Sequence, residues 1–548
     1  MKSFETELNK LLEKEAKNKP ATPVQPKKKA STSGDFMSAV KNTLVESDEY
    51  NKSVTENGMT GYRTTGKALV DINFAVSSLR NVTEEAIEAK WLNVYNEDPI
   101  SAIAWLFFAG DVRGGLGERR LFKTIIQLIA SMKPELMNAL LDFVPEYTRW
   151  DNLFCILEDD TIASKDVKDR IMDKVKQQLQ EDMEGMAENR SISLLAKWMP
   201  SINTSSRETV NLAYKFAHYL GCKPREYRKM LAALRRYLDV VEVKTSSNRW
   251  DEINYETVPS KANLKYADAF LRNDKERRTK FLESLEKGEA KINASVVYPH
   301  DIFTKYCDLN YYTPSVKSVD LALEGMWKAL PNFMPEDAKP TIVVADSSGS
   351  MLCNVANTYA MFIGFALAIY FAERLPGPYK DQFITFSRYP QYISFKNLDT
   401  LQAKIKQAFS FSCIENTNVK AVFDLVLKTA VENHIEDKDV PNILIISDME
   451  FDSMTSCSSE HDFDVVKQEY ANHGYTLPRL TFWNVNSRTG TIPIKENDRG
   501  VALVSGFSPT VASMVMSGET DPYKIILETI YSERYTPVIN AAKEVLSK

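Results

Sequence analysis

Asp346, Ser348 and Ser350 form a D-x-S-x-S run, in DSSGSM, directly after the apolar stretch TIVVA. Two later segments offer matching oxygen donors, Thr417 in NTNVKAVFDLVL and Asp448 in NILIISDMEFD. Two carboxylates and three hydroxyls, with no His or Cys among them, are hard ligands. They suit a divalent cation, Mg²⁺ first and Mn²⁺ or Ca²⁺ as alternatives, and argue against zinc. Two formal negative charges leave such an ion electrophilic and coordinatively incomplete, so an acidic residue of a partner protein can complete its shell. Sites for phosphoryl chemistry usually cluster carboxylates around two metals. This set therefore reads as a docking site, with no catalytic residues and no enzyme expected; metal-dependent phosphoryl transfer is the weaker alternative. Glu450 and Asp452 read as rim acids on the turn beyond Asp448.

A second chemistry is cationic. Lys223–Arg236 holds six basic residues and one acid, and Arg225, Arg228/Lys229 and Arg235/Arg236 fall roughly on one helical face. Tyr227 and Tyr237 stand among them. Arg113, Arg119, Arg120 and Lys123 make a second cluster on a glycine-rich turn. Cations with aromatic neighbours suit phosphate contacts and base stacking, which marks these residues, Arg119 and Arg120 included, as a candidate RNA surface. The same pattern also suits a solvated helix face paired with nearby acids.

Two other patterns lack their chemistry. GYRTTGKA (61–68) has P-loop spacing, but Ala68 replaces the Ser/Thr that would hold Mg²⁺ and no apolar strand precedes it. The serines at 347, 348 and 350 have no G-x-S-x-G elbow around them.

The elements that must position these residues change in texture along the chain. Residues 1–60 read as a flexible tail: eight Lys and four Glu in the first thirty, then a Pro/Lys/Ser-rich linker. Residues 61–338 read as helix after helix, an irregular helical-repeat array. The expected helices include 166–183, 187–198, 225–238, 262–272 and 275–287, with a capping box at Ser205/Glu208. Residues 339–548 alternate strand and helix (TIVVADSS, a long apolar helix near 355–374, QFITFS, QYISF, NILIISD, RLTFWNV, VALVSGF) and end in helices. That alternation predicts a doubly wound, mostly parallel, Rossmann-like α/β sheet. In such a sheet, ligands gather at the carboxyl ends of the strands, where the Asp346 and Asp448 loops fall.

Composition sets the limits. The 548 residues exceed one core, and 44% apolar with 26% charged is ordinary globular usage. The net charge of −6 comes from residues 341–548, which hold 18 Lys/Arg and 24 Asp/Glu, while residues 1–340 are balanced at 50 and 50. Any nucleic-acid role must therefore use local patches. Six scattered cysteines without a C-x-x-C suggest reduced thiols and a cytoplasmic setting. Within the uncharged run 347–372 the apolar part, 359–372, has 14 residues, short of the roughly 20 a bilayer needs, and the start is polar, so no membrane contact is expected.

The D-x-S-x-S…T…D arrangement resembles the metal-ion-dependent adhesion site (MIDAS) of von Willebrand factor A domains. That resemblance implies direct ligation by Ser348 and Ser350, Thr417 direct or through water, and Asp346 and Asp448 acting mainly through water or by orienting hydroxyls. It departs from many such domains in having Asn416 where Gly precedes the Thr. A helical region joined to a C-terminal A domain is the plan of the Ro ribonucleoprotein (TROVE) family, whose helical-repeat ring binds misfolded and small noncoding RNAs. The segments TGYRTTGKALVDINF, RGGLGERRLF, YTRWDNL, LAKWMPS, YRKMLAALRRYLDVVE and ADSSGSM are more similar to a largely uncharacterised relative of that family in viruses and eukaryotes. The resemblance implies a ribonucleoprotein-like scaffold, with a small or structured RNA bound by the helical part. Its A domain would bind magnesium and dock an acidic group of a partner protein. A protein-only adaptor is the alternative.

Overall fold

The structure is a computed structural model. It describes residues 51–54, 60–158, 161–310, 313–335, 338–355, 357–386, 389–411, 419–450, 459–488, 490, 492, 501–508 and 521–547. Thr417, Asn416 and Asp452, and the tail up to residue 50, lie outside the described residues. Two compact units emerge: Met1–Glu97 with Cys307–Val316 and Phe333–Thr529, and Asp98–Tyr306 with Lys317–Asn332 and Ile530–Lys548. They interleave along the chain, unlike the linear division at 338/339. Residues 61–97, expected in the helical array, belong to the first unit, and 530–548 belong to the second. Amphipathic faces find their covers in space, and helical periodicity alone does not say whether the cover is another helix or a sheet.

The first unit is built on a six-stranded sheet: β1 (Thr341–Asp346), β2 (Gln382–Phe386), β3 (Tyr392–Ser394), β4 (Asn442–Ser447), β5 (Leu480–Asn484) and β6 (Val501–Ser505). Their order is β6-β5-β4-β1-β2-β3, all pairs parallel except β2 with β3. Consecutive β-branched residues in TIVVA and NILII are buried because helices cover both faces of a parallel sheet. Helix Ala360–Arg374 is buried from Ala360 to Ala372, and Gly364 lets it approach Met351 and Ile446 closely. This helix starts later than expected, after a two-strand turn (Asn354–Val355 with Thr358–Tyr359) reversing at Asn357, φ 67°. Helix Ala68–Ala75 packs on β6, and Asn484 Nδ2 donates to Phe74 O at 2.9 Å. Lys52–Val54 pairs antiparallel with Thr60–Tyr62, which places strand at the end of the expected tail.

Helices dominate the second unit, including Pro99–Gly110, Arg119–Met132, Pro134–Leu140, Lys165–Ala187, Arg207–Tyr219, Pro224–Tyr237, Ser260–Asn273, Lys275–Glu286 and Thr536–Leu546. The expected helix 187–198 shrinks to Leu195–Trp198. Asn189 enters the left-handed region at φ 54° and Arg190 N caps Gly185 O at 2.7 Å, which stops the preceding helix. The cap of Arg207–Tyr219 is Ser206, whose side chain accepts from Thr209 N, rather than Ser205. Among the described residues no helix is long and apolar enough to cross a membrane.

Candidate functional site

In the first unit, the sheet order reverses direction between β1 and β4, the crevice where open α/β sheets take ligands. Asp346 ends β1 and Asp448 follows β4. Register carries both to the same edge, because Ile446 pairs with Ala345. Asp346, Ser348 and Asp448 are buried, at 1%, 5% and 0% exposure. Asp346 accepts from Ser348 N (2.8 Å) and from Ser447 Oγ (2.5 Å), so each strand end holds the same carboxylate. The Ser348 and Ser350 hydroxyls stand 2.8 Å apart, and Ser350 donates to Asp448. Four of the five expected ligands thus form one connected group.

Two features escaped the sequence reading. Glu450 is not a rim acid: at 1% exposure it accepts from Arg488 N at 2.9 Å. Arg488, beyond β5, brings Nη2 to 3.4 Å from Asp448 Oδ2. Glu450 sits just past a buried strand, a weak signal of burial, whereas nothing in sequence pairs Arg488 with Asp448. Among the described residues no three His, Cys, Asp or Glu side chains gather as a metal-holding group. An ion here would therefore take hydroxyls into its shell. The local chemistry fits one: two buried carboxylates lie near enough to raise one another's proton affinity, with Ser350 turned to Asp448 and Ser447 to Asp346.

Burial first, and the neighbouring Asp346 charge second, push Asp448 up from the usual 3.8 to about 7; Ser350, the Glu450 amide and Arg488 oppose this. The raised value fixes a sign. Folding then favours the protonated form, so this group's stabilisation is complete below its unfolded value and is lost as pH rises through the folded one. In EDTA, urea midpoints of the wild type relative to Asp448→Asn should fall between about pH 4 and about pH 7. A pH-independent difference would show that Asp448 is not held protonated.

In the second unit, helix Pro224–Tyr237 and residues Ser201–Asn203 line a groove of about 440 Å³. Arg225, Arg228 and Lys229 stand exposed along it and, among the described residues, make no ion pair. Arg235 departs from the expectation. Its guanidinium donates to Ala196 O (2.8 Å), Met199 O (2.7 Å) and Ser201 Oγ (2.9 Å), and burial lowers its pKa. These three acceptors engage most of a fork with five N–H donors, so Arg235 holds the groove wall in place. Tyr227 is fully buried and donates to Pro200 O at 2.8 Å, which rules it out as a stacking platform. Arg236 lies exposed beside a second cleft with Arg249, and Arg249 pairs with Glu252 at 2.9 Å. Arg119 pairs with Asp151 at 2.8 Å, and Arg113 donates to Glu146 O; Arg120 is exposed. The second cluster is therefore tied down in part.

GYRTTGKA is occupied by its own chain. Asp71 accepts from both Thr65 N and Thr65 Oγ, and both carboxylate oxygens of Glu97 lie 3.1 Å from Ala68 N. A carboxylate already fills the place a phosphate would need.

Residues 163–332 match a domain of unknown function (DUF2828), and residues 340–534 match another (DUF7788). The chain is 28% identical over 522 residues to "Uncharacterized protein L728" of Acanthamoeba polyphaga mimivirus, covering 89% of each. Among solved structures it is similar to the Ro (RSR) protein of Deinococcus radiodurans, at 13% identity and a TM-score of 0.46, covering 86% of this chain and all of that one.

Proposed function

We propose that the protein is a non-enzymatic binding scaffold. Its helical unit offers a cationic groove to RNA, and its α/β unit uses a divalent cation to dock an acidic group of a protein partner. What carries the RNA reading is the groove itself: Arg225, Arg228 and Lys229 line one concave strip without acids to neutralise them, on a chain of negative net charge. Exposed cations without acidic partners are what a polyphosphate backbone recruits through counterion release, and the Asn203 side-chain oxygen that accepts from Arg228 leaves its charge unneutralised. At the sheet edge, Ser348 and Ser350 with Asp346 and Asp448 would hold the cation, Mg²⁺ before Mn²⁺ or Ca²⁺. The cation would supply a direct ionic bond to an incoming carboxylate, offsetting that carboxylate's desolvation. This chain's residues orient the site: Ser447 and the Ser348 amide fix Asp346, and Ser350 turns its hydroxyl to Asp448.

Gel shifts with small structured RNAs at low and high salt test the first half. The expected result is a shift at low salt that weakens steeply as salt rises. No shift at low salt would leave a protein-only adaptor, whose partner capture should then be abolished by EDTA and by Asp346→Ala.

A further inference from the structure

Asp448 is wholly buried beside the Asp346 group, yet it is not left without a cation. Arg488 Nη2 stands 3.4 Å from its Oδ2. The backbone of Arg488 is pinned, because its amide donates to Glu450 Oε1 at 2.9 Å and the preceding Ser487 amide donates to Asn484 Oδ1 at 2.8 Å. Its side chain is 32% exposed. A partly exposed guanidinium on a fixed backbone can move away from the buried carboxylate by side-chain rotation, with no shift of the main chain. The 3.4 Å separation is long for a charge-assisted hydrogen bond, so the contact is a loose one.

We propose that, once Asp448 is ionised, Arg488 is the internal counter-ion of the metal-free site, and that a divalent cation binds by displacing its guanidinium from Asp448. This rests on the cation-docking reading above. Both cations seek the same oxygen, and two positive charges beside one carboxylate repel. Ion binding and the Arg488 contact therefore oppose each other, and the coupling is reciprocal. The partner's carboxylate meets a site whose own arginine has swung into solvent, where it offers a second charge at the rim.

Titration of Mg²⁺ into the full-length chain by calorimetry, above the pH of about 7 at which Asp448 ionises, for the wild type, Arg488→Ala and Arg488→Gln, tests this. The expected result is tighter binding in both variants, by at least about fivefold. Urea midpoints in EDTA should be lower in both variants, and Mg²⁺ should raise them to the wild-type level. Arg488→Gln keeps the side-chain length and carries the test if Arg488→Ala does not fold. Equal or weaker Mg²⁺ binding in the variants overturns the counter-ion role while leaving the cation site standing. Absence of saturable Mg²⁺ binding in all three proteins removes the site, and the proposal with it.

Discussion

A chain ending at Thr529 should lose the cooperative unfolding of its helical unit. Ile530, Tyr535, Val538, Ile539 and Ala542 are all buried, and helix Thr536–Leu546 packs on Pro99–Gly110 and Pro134–Leu140. Removing it uncovers helix Pro99–Gly110, whose residues from Ala102 to Phe107 have no exposure when it is present. Full burial of one large aliphatic side chain is worth roughly 1.5–3 kcal/mol. Three such side chains approach the ~5–15 kcal/mol that holds a whole domain together.

The polar contacts set the direction of finer tests. Asp111 is wholly buried at the end of Pro99–Gly110 and accepts from Arg534 Nε and Nη2, from Tyr535 Oη (3.1 Å) and from Arg113 N (2.9 Å). Tyr147 stacks on Tyr535 and donates to Arg534 O. Arg534→Met leaves a buried carboxylate without its cation, a loss of about 3 kcal/mol. Asp111→Asn should cost less, since Arg534 is 41% exposed and can turn to water. Urea denaturation of the three variants checks the order: truncation worst, Arg534→Met next, Asp111→Asn mildest. A truncated chain that keeps the transition would show that the C-terminal helix only decorates the unit.

That closure was half visible in sequence. The apolar spacing of TPVINAAKEVL announces a covered face, but its partner lies more than 400 residues upstream, a distance no periodicity spans. The helix of VDINF had the same ambiguity: Leu69, Val70, Ile72 and Phe74 demanded a cover, and the cover is shared between helix Glu84–Glu97 and strand β6. The candidate cation site was more legible because strand alternation fixes where loops fall. Asp346 and Asp448 each close a β-branched run, and parallel pairing must bring such ends to one rim. What alternation omits is charge balance, so Arg488 and the burial of Glu450 went unseen. Arginines on one helix face look alike until their partners are known. Arg228 and Arg235 differ by two helical turns, yet one faces solvent and the other grips carbonyls of residues 196 and 199.

That difference divides the helix into binding and structural positions, with separable consequences. Neutralising Arg225, Arg228 and Lys229 together as Gln should weaken RNA binding without moving the urea midpoint, because none of the three is buried. Three phosphate contacts to a single strand give a salt slope of about −2, so affinity should fall roughly 20-fold between about 50 and 200 mM salt in the wild type. The triple variant should lose most of that slope, and its low-salt affinity should fall toward what the wild type shows at high salt. Arg235→Ala should behave in the opposite way. It strands two buried carbonyls and loosens the groove wall, a loss of about 3 kcal/mol in stability, with binding reduced only as far as the fold is. Asp346→Ala should leave RNA affinity and slope alone, since that residue belongs to the other compact unit. If the triple variant keeps both affinity and slope, the groove is not the phosphate surface. The exposed cations Arg120 and Arg236 then become the next residues to neutralise, ahead of Arg119, which is already paired with Asp151.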